Sequence, residues 1–426
     1  MINDNVLVVI AASAISYGTP LLFAALGELL AERSGVLNLG VEGMMLIGAV
    51  SGFWAVQTVG GPGWLSLLGA VLVAAVAGAA TSMIHAFLTI SLRASQIVSG
   101  LALTIFAGAS GLSSYIGHVA NLGGKPARYE FDAINVFGQQ GAPVIGPILL
   151  HQNALTYFSW ALVVLILFYL YRTRPGLHLR AVGESPATAD AMGVNVAAYR
   201  YIHVVLGGAL AGIGGAFFSL AITPGWIDGM TSGAGWIAIA LVIFAFWRPE
   251  LALVGAYLFG AFSSLGFTLQ ARQVHLPQEV FSSLPYLMTI VVLVLVSTGW
   301  ARRRLGAPAA LGVPYVREER RRGPGHDHAR RRSRCGHRRC GARRGQRGCN
   351  PSGRGMAGPH RDAEPGAGHS LRPAAALEDL PAGRGNSRRL AGEARGLVRG
   401  QPGRTAHRRQ GGGRRYRAQA GRTRRR

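Results

Sequence analysis

Apolar residues in the first three quarters of the chain come in long unbroken runs. They do not alternate as in a half-buried strand or form the single stripe of a surface helix. The runs fall at residues 6–26, 39–59, 64–90, 97–119, 154–171, 201–222, 235–247, 251–269 and 284–300. A hydrocarbon core about 30 Å thick takes about 20 helical residues, and most of these runs are that long. The pattern predicts an all-α, polytopic transmembrane helix bundle of about nine spans. The runs at 235–247 and 284–300 are short, so a kinked, broken or partial crossing is expected there. The first run continues far beyond a signal-peptide core, and Asp4 stands where a basic start would be, so it is expected to remain as a span.

Charged positions between the runs give the bundle a direction, because short cytoplasmic loops collect Arg and Lys. Over nine spans, Arg33, Arg93, Arg172, Arg174, Arg180, Arg200, Arg248, Arg302, Arg303 and Arg304 fall on one side. The other side receives Lys125, Arg128 and Arg272, together with Asp4, Glu130, Asp132, Asp228 and Glu279. The first side is expected to be cytoplasmic, with the N-terminus outside.

Composition then separates a tail from the bundle. The 426 residues carry a formal charge of +25, yet residues 1–320 hold 15 Arg and Lys against 13 Asp and Glu, leaving 29 against 6 for residues 321–426. That tail contains no Ile, Phe, Trp or Lys, too little apolar surface to offset the entropy of ordering it. Three segments are expected: a transmembrane domain over 1–304, its cytoplasmic end over 305–320, and a disordered Arg-, Gly- and Pro-rich tail over 321–426. The tail has the composition of a GC-rich gene read past its end in a shifted frame, and it is expected to be dispensable. Its arginine runs could contact the phosphates of lipid or nucleic acid. With Tyr416 the one Phe, Tyr or Trp among its arginines for base stacking, however, no nucleic-acid partner is expected. Cys335, Cys340 and Cys349 all lie there, and Cys335 and Cys340 with His326, His328 and His337 lack the spacing of matched zinc pairs. Neither a metal nor a disulfide framework is assigned.

Polar residues inside the apolar part are the candidates for function, since buried charge in a membrane is costly unless paired or facing water. Residues 27–43 carry Glu28, Glu32, Asn38 and Glu42 at the junction of the first two spans. Glu32 and Arg33 read as an interfacial pair, while Asn38 and Glu42, four apart, would share a helix face turned into the bundle. Gly35, Gly40 and Gly43 permit either close helix packing or a broken helix beside a pathway. On the cytoplasmic side, Ser185 as N-cap, Pro186 as first helical residue and Gly193 as left-handed terminator delimit a helix of about seven residues. So short a helix needs docking, through Ala187, Ala191 and Met192, and a cytoplasmic partner protein is expected. The chain cannot form a P-loop. Its only lysine is Lys125, Pro126 follows where Ser or Thr is required, and Val119 stands in place of the first glycine. His85, His118 and His203 lack nucleophile or metal partners and read as packing residues, and HExxH and GxSxG patterns are missing. A polytopic membrane enzyme and a membrane anchor with a basic lipid- or nucleic-acid-binding tail are the alternatives.

The residues resemble the permease subunits of bacterial ABC importers in the branched-chain amino acid, ribose and nucleoside superfamily, on the side of its simple-sugar and nucleoside branch. The resemblance rests on Gly27-Glu28 through Glu42-Gly43-Met44-Met45, on Gln96 through Ala102, on Gly176-Leu177 through Arg180 to Glu184, and on Gly233 through Ile243. It covers residues 5–316. It implies a multi-pass protein of the bacterial inner membrane that works with a second permease subunit, cytoplasmic ATPase subunits and an extracytoplasmic solute-binding protein. ATP would be bound by the partners, and the chain itself would need no cofactor. The helix after Ser185 would be the coupling helix, bordered by Arg180, Glu184, Asp190 and Gly193. Asn38, Glu42, Gln96 and Ser99 are pathway candidates, as polar residues inside apolar stretches.

Overall fold

The computed structural model describes residues 6–135, 146–271, 278–296 and 306–316. Each apolar run of the sequence, as far as it is described, falls mainly on helix. α1 is Val6–Arg33, α2 Val41–Thr58 and α3 Gly63–Ala86. α4 (Gln96–Ala107) and α5 (Leu112–Val119) divide the fourth run, and α6 (Ala154–Arg172) forms the fifth. α7 (Arg174–Glu184) and α8 (Pro186–Ala191) occupy the connection to α9 (Val196–Phe217). α10 (Ala234–Phe244), α11 (Pro249–Ala271) and α12 (Gln278–Val296) follow. α3 and α9 run out in π-helical turns, Phe87–Ser91 and Phe218–Ile222. A small hairpin pairs β1 (Ala133–Asn135) with β2 (His151–Asn153), Ala133 opposite Asn153.

Five stretches of the described residues are long and apolar enough to cross a membrane: Leu7–Arg33, Gly63–Ser91, Gln96–Val119, Ala154–Arg172 and Val196–Ile222. α10, with 11 residues, rises only about 16 Å, half a bilayer. Nine apolar runs are therefore helical, but nine crossings are not established by length and composition. The expectations for Asp4, Arg272, Arg302, Arg303, Arg304 and the tail lie outside the described residues.

At the centre, α9 packs on α1, α2 and α3, and α11 lies along α1. Lipid chains are as apolar as leucine, so membrane helices associate by close packing rather than by escape from water. Glycine supplies the closeness here. A methyl on Gly212 of α9 would overlap Ala74 O of α3, one on Gly48 of α2 would overlap Gly212 O, and one on Gly207 would meet Gly27 O of α1 at 2.7 Å. Larger side chains such as Phe23, Phe53, Phe217 and Phe259 fill the remaining core.

The basic loops gather at one end. Arg33 Nε donates to Trp247 O at 3.2 Å, Arg200 Nε to Ser34 O at 3.2 Å, and Gly183 lies against Arg33 O. Arg93, Asp190, Asn195, Arg200 and Tyr315 line one cavity of about 190 Å³ at this end. At the far end of α2, Gln57 Nε2 donates to Pro126 O at 2.6 Å, Pro126 bridges to Gly225, and His118 meets Asp228 at 3.1 Å.

Candidate functional site

After α1 the chain turns back into the bundle, and the polar candidates are buried for that reason. α2 begins only at Val41, so Asn38 precedes the helix and does not share a helix face with Glu42, a correction to the four-residue spacing. The Asn38 side chain forms a local turn instead, Oδ1 accepting from Gly40 N at 3.0 Å. Asn38 N donates to Glu28 Oε1 at 3.0 Å. Gln96, at the start of α4, accepts from Leu37 N at 2.7 Å. Ser99 Oγ lies 3.1 Å from His85 Nδ1, and His85 Nε2 lies 3.1 Å from Leu37 O, which makes His85 a buried packing residue. Asn38 and Gln96 thus bond the backbone of one turn directly, and Ser99 reaches it through His85.

Glu42 holds a different element. Its Oε1 accepts from Thr231 Oγ1 at 2.6 Å and from Gly233 N at 2.9 Å, while Oε2 accepts from Gly235 N at 2.6 Å. Gly233 has φ +82° and caps α10, so the carboxylate sits on the unsatisfied N–H groups and the positive end of the helix dipole. That end lies inside the bundle, with Ala234 and Gly235 buried and Gly235 against Glu42, and the chain beyond α10 reaches Glu32 and Arg33 through Trp247. The intervening residues 223–233 descend from Gly225, beside Pro126, without forming helix. Irregular backbone at membrane depth is tolerated where it is buried in protein or lines a water-filled cavity. Ser232, Trp236 and Tyr286 are exposed beside it, with the Tyr286 hydroxyl bonded to Ser232 O.

Glu32 and Arg33 do not pair with each other. Trp247 separates them, its Nε1 donating to Glu32 Oε2 while its carbonyl accepts from Arg33 Nε and, at 2.7 Å, from Arg33 Nη2. Among the described residues no group of three His, Cys, Asp or Glu side chains could hold a metal ion.

The connection from α6 to α9 contains two helices where one was expected. α7 is capped by Thr173, whose Oγ1 accepts from Gly176 N at 3.1 Å, with Pro175 in its first turn. Thr173 and Pro175 were the overlooked sequence signal. α8 follows as delimited, with Ser185 at its N-cap and Gly193 at φ +86°, although the Ser185 hydroxyl bonds Thr188 Oγ1 at 2.8 Å and no backbone N–H. Ala189 is buried against Val182 and Val196, whereas Ala187, Ala191 and Met192 face outward and Met192 is 80% exposed. Arg180 stacks over Tyr171 at 5.4 Å, and Glu184 Oε2 accepts from Ala309 N at 3.4 Å. The sequence did not reveal the roles of Thr231, Trp247 and Arg200. Arg200 alone was visible as a charge opening an apolar run.

Comparison with known proteins agrees with this architecture. The profile of the branched-chain amino acid transport system permease component family matches residues 10–293. A protein of Haloferax volcanii named as a glucose ABC transporter permease is 40% identical over 334 residues, 72% of this chain and 97% of its own. The nucleoside ABC transporter permease of Lactococcus lactis and the guanosine ABC transporter permease of Bacillus subtilis are each 36% identical, across 74% of this chain and 99% of theirs. Neither the membrane-enzyme reading nor that of a basic-tailed anchor finds support. The chain belongs to the branched-chain amino acid transport system permease component family and is a multi-pass inner-membrane permease subunit of an ABC importer.

Proposed function

We propose that this permease carries an uncharged, hydroxylated solute, a nucleoside or a simple sugar, from an extracytoplasmic binding protein to the cytoplasm. It does so paired with a second permease subunit. Separate ATPase subunits seat on α8 and bind the ATP, and the chain needs no cofactor of its own. The carrying observation is Glu42. Half-helix N-termini inside transporters are suited to the carboxylate of a solute, and here the chain's own carboxylate already fills that position on α10. An anionic solute would meet Glu42, whereas a neutral one meets Ser232, Trp236 and Tyr286. Trp236 offers a ring face to a base or sugar, and the two hydroxyl side chains offer hydrogen bonds. The names of the relatives, glucose on one side and nucleosides on the other, agree with a neutral solute.

The test is uptake of radiolabelled guanosine and of glucose by cells carrying the whole importer, each competed with unlabelled nucleosides, sugars and leucine. Competition by a nucleoside or a sugar and none by leucine is expected; inhibition by leucine alone would overturn the reading. Trp236→Ala should raise the KM for uptake about tenfold, the effect of losing one stacked ring.

A further inference from the structure

Residues 306–316 lie across the end of the bundle where α7 and α8 sit, and their backbone is bonded on both sides. Toward α7, Ala310 N donates to Gly183 O at 3.0 Å. Toward the α1–α2 turn, Gly312 N donates to Gly35 O at 3.2 Å, and Arg33 Nη1 donates to Gly306 O at 3.3 Å. Arg200, 2% exposed, reaches two segments at once, with Nε on Ser34 O at 3.2 Å and Nη1 on Val313 O at 3.3 Å. Guanidinium is the side-chain group suited to this, since its donors diverge from one rigid plane. Tyr315 packs on the cluster of Val182, Ala189 and Val196, and so lies beneath α8.

The arrangement answers a mechanical problem. α8 has six residues and one buried side chain, Ala189, so by itself it has little grip on the bundle. Tyr315 enlarges that contact with a ring, and the backbone on either side of Gly312 continues from the ring to the carbonyl of Gly35. From Gly35 the chain runs three residues to Asn38 and seven to Glu42.

We propose that residues 306–316 are a strap tying α8 to the α1–α2 turn, with Tyr315 and Arg200 as positioning residues, so that displacement of α8 is carried to the turn holding Asn38 and on to Glu42 at the start of α2. The inference rests on α8 being the ATPase seat. It is tested on the full-length permease assembled with its ATPase and second permease in proteoliposomes supplied with the binding protein. Three quantities are read: ATPase co-purification, ATP hydrolysis, and solute imported per ATP hydrolysed. Tyr315→Ala should leave the first two at the parental level and lower the third at least about fivefold, the low end of measured couplings between sites. Tyr315→Phe, which keeps the ring, should restore the parental ratio. A parental ratio in Tyr315→Ala overturns the strap. If that variant fails to reach the membrane, Arg200→Lys, which keeps the charge and loses the fork between Ser34 and Val313, is read in the same way with the same two outcomes. Failure of the underlying reading looks different, because Asp190→Arg would then leave ATPase co-purification intact whatever Tyr315 does.

Discussion

Glu42 illustrates how much one side chain determines. Its carboxylate takes three hydrogen bonds from residues 189 to 193 positions later, two of them from the backbone at the start of α10. Glu42→Ala leaves the half-buried Gly233 amide and the buried Gly235 amide without their acceptor, and each buried loss costs about 1–3 kcal/mol. A destabilisation of about 3 kcal/mol is therefore expected, read as a lowered midpoint of thermal unfolding in detergent. Glu42→Gln keeps one acceptor and should lose about half as much. An Ala variant as stable as the parent would remove Glu42 from this role. The sequence marked Glu42 because a carboxylate in an apolar run is conspicuous. It could not name Thr231 or Gly235, since nothing local records which distant segment a side chain will meet. Asn38 was misread for a related reason. The four-residue spacing presumed helix where Gly35, at φ +87°, lets the chain turn, and an asparagine bonded to its own neighbourhood looks the same in sequence as one on a helix face.

The helices were legible as elements because each long apolar run could only be satisfied as helix in lipid. α7 was not, since its mixed Arg, His and Leu sequence has no long run and only Thr173 and Pro175 mark its start. α8 was legible from its punctuation, and the structure adds which face is free. Met192 projects from the end of α8 with no packing of its own, as a docking knob would. Met192→Glu should weaken ATPase association about tenfold, as expected for burying an unpaired charge at an interface. Affinity capture of the ATPase by the permease measures it, and undiminished capture would reassign this face to solvent. Solute binding by the separate binding protein should not change.

For the molecule as a whole, the two charge classes of the sequence become two ends of the bundle, with Arg33, Arg180, Arg200 and Arg248 at one and Lys125 and Arg128 at the other. In a chain whose Cys335, Cys340 and Cys349 are replaced by Ser, Lys125→Cys should react with an impermeant maleimide added outside intact cells and Arg174→Cys should not. Reaction of both from outside would contradict this orientation. The relatives are matched over 97–99% of their length by 72–74% of this chain. We accordingly expect a chain ending at Arg320 to insert and to support uptake like the full-length form, and lost uptake at unchanged membrane abundance would give the tail a role. The number of crossings was the least legible quantity, because α10 carries the composition of a span at half its length. The glycine contacts among α1, α2, α3 and α9 have a further consequence for motion. Where backbones touch, one helix cannot slide past another without opening a void, and packed interfaces of this kind behave as a single stiff body. Sliding among α1, α2, α3 and α9 is therefore not expected to accompany opening and closing, which leaves relative movement to the α1–α2 turn and to the helices packed around this block.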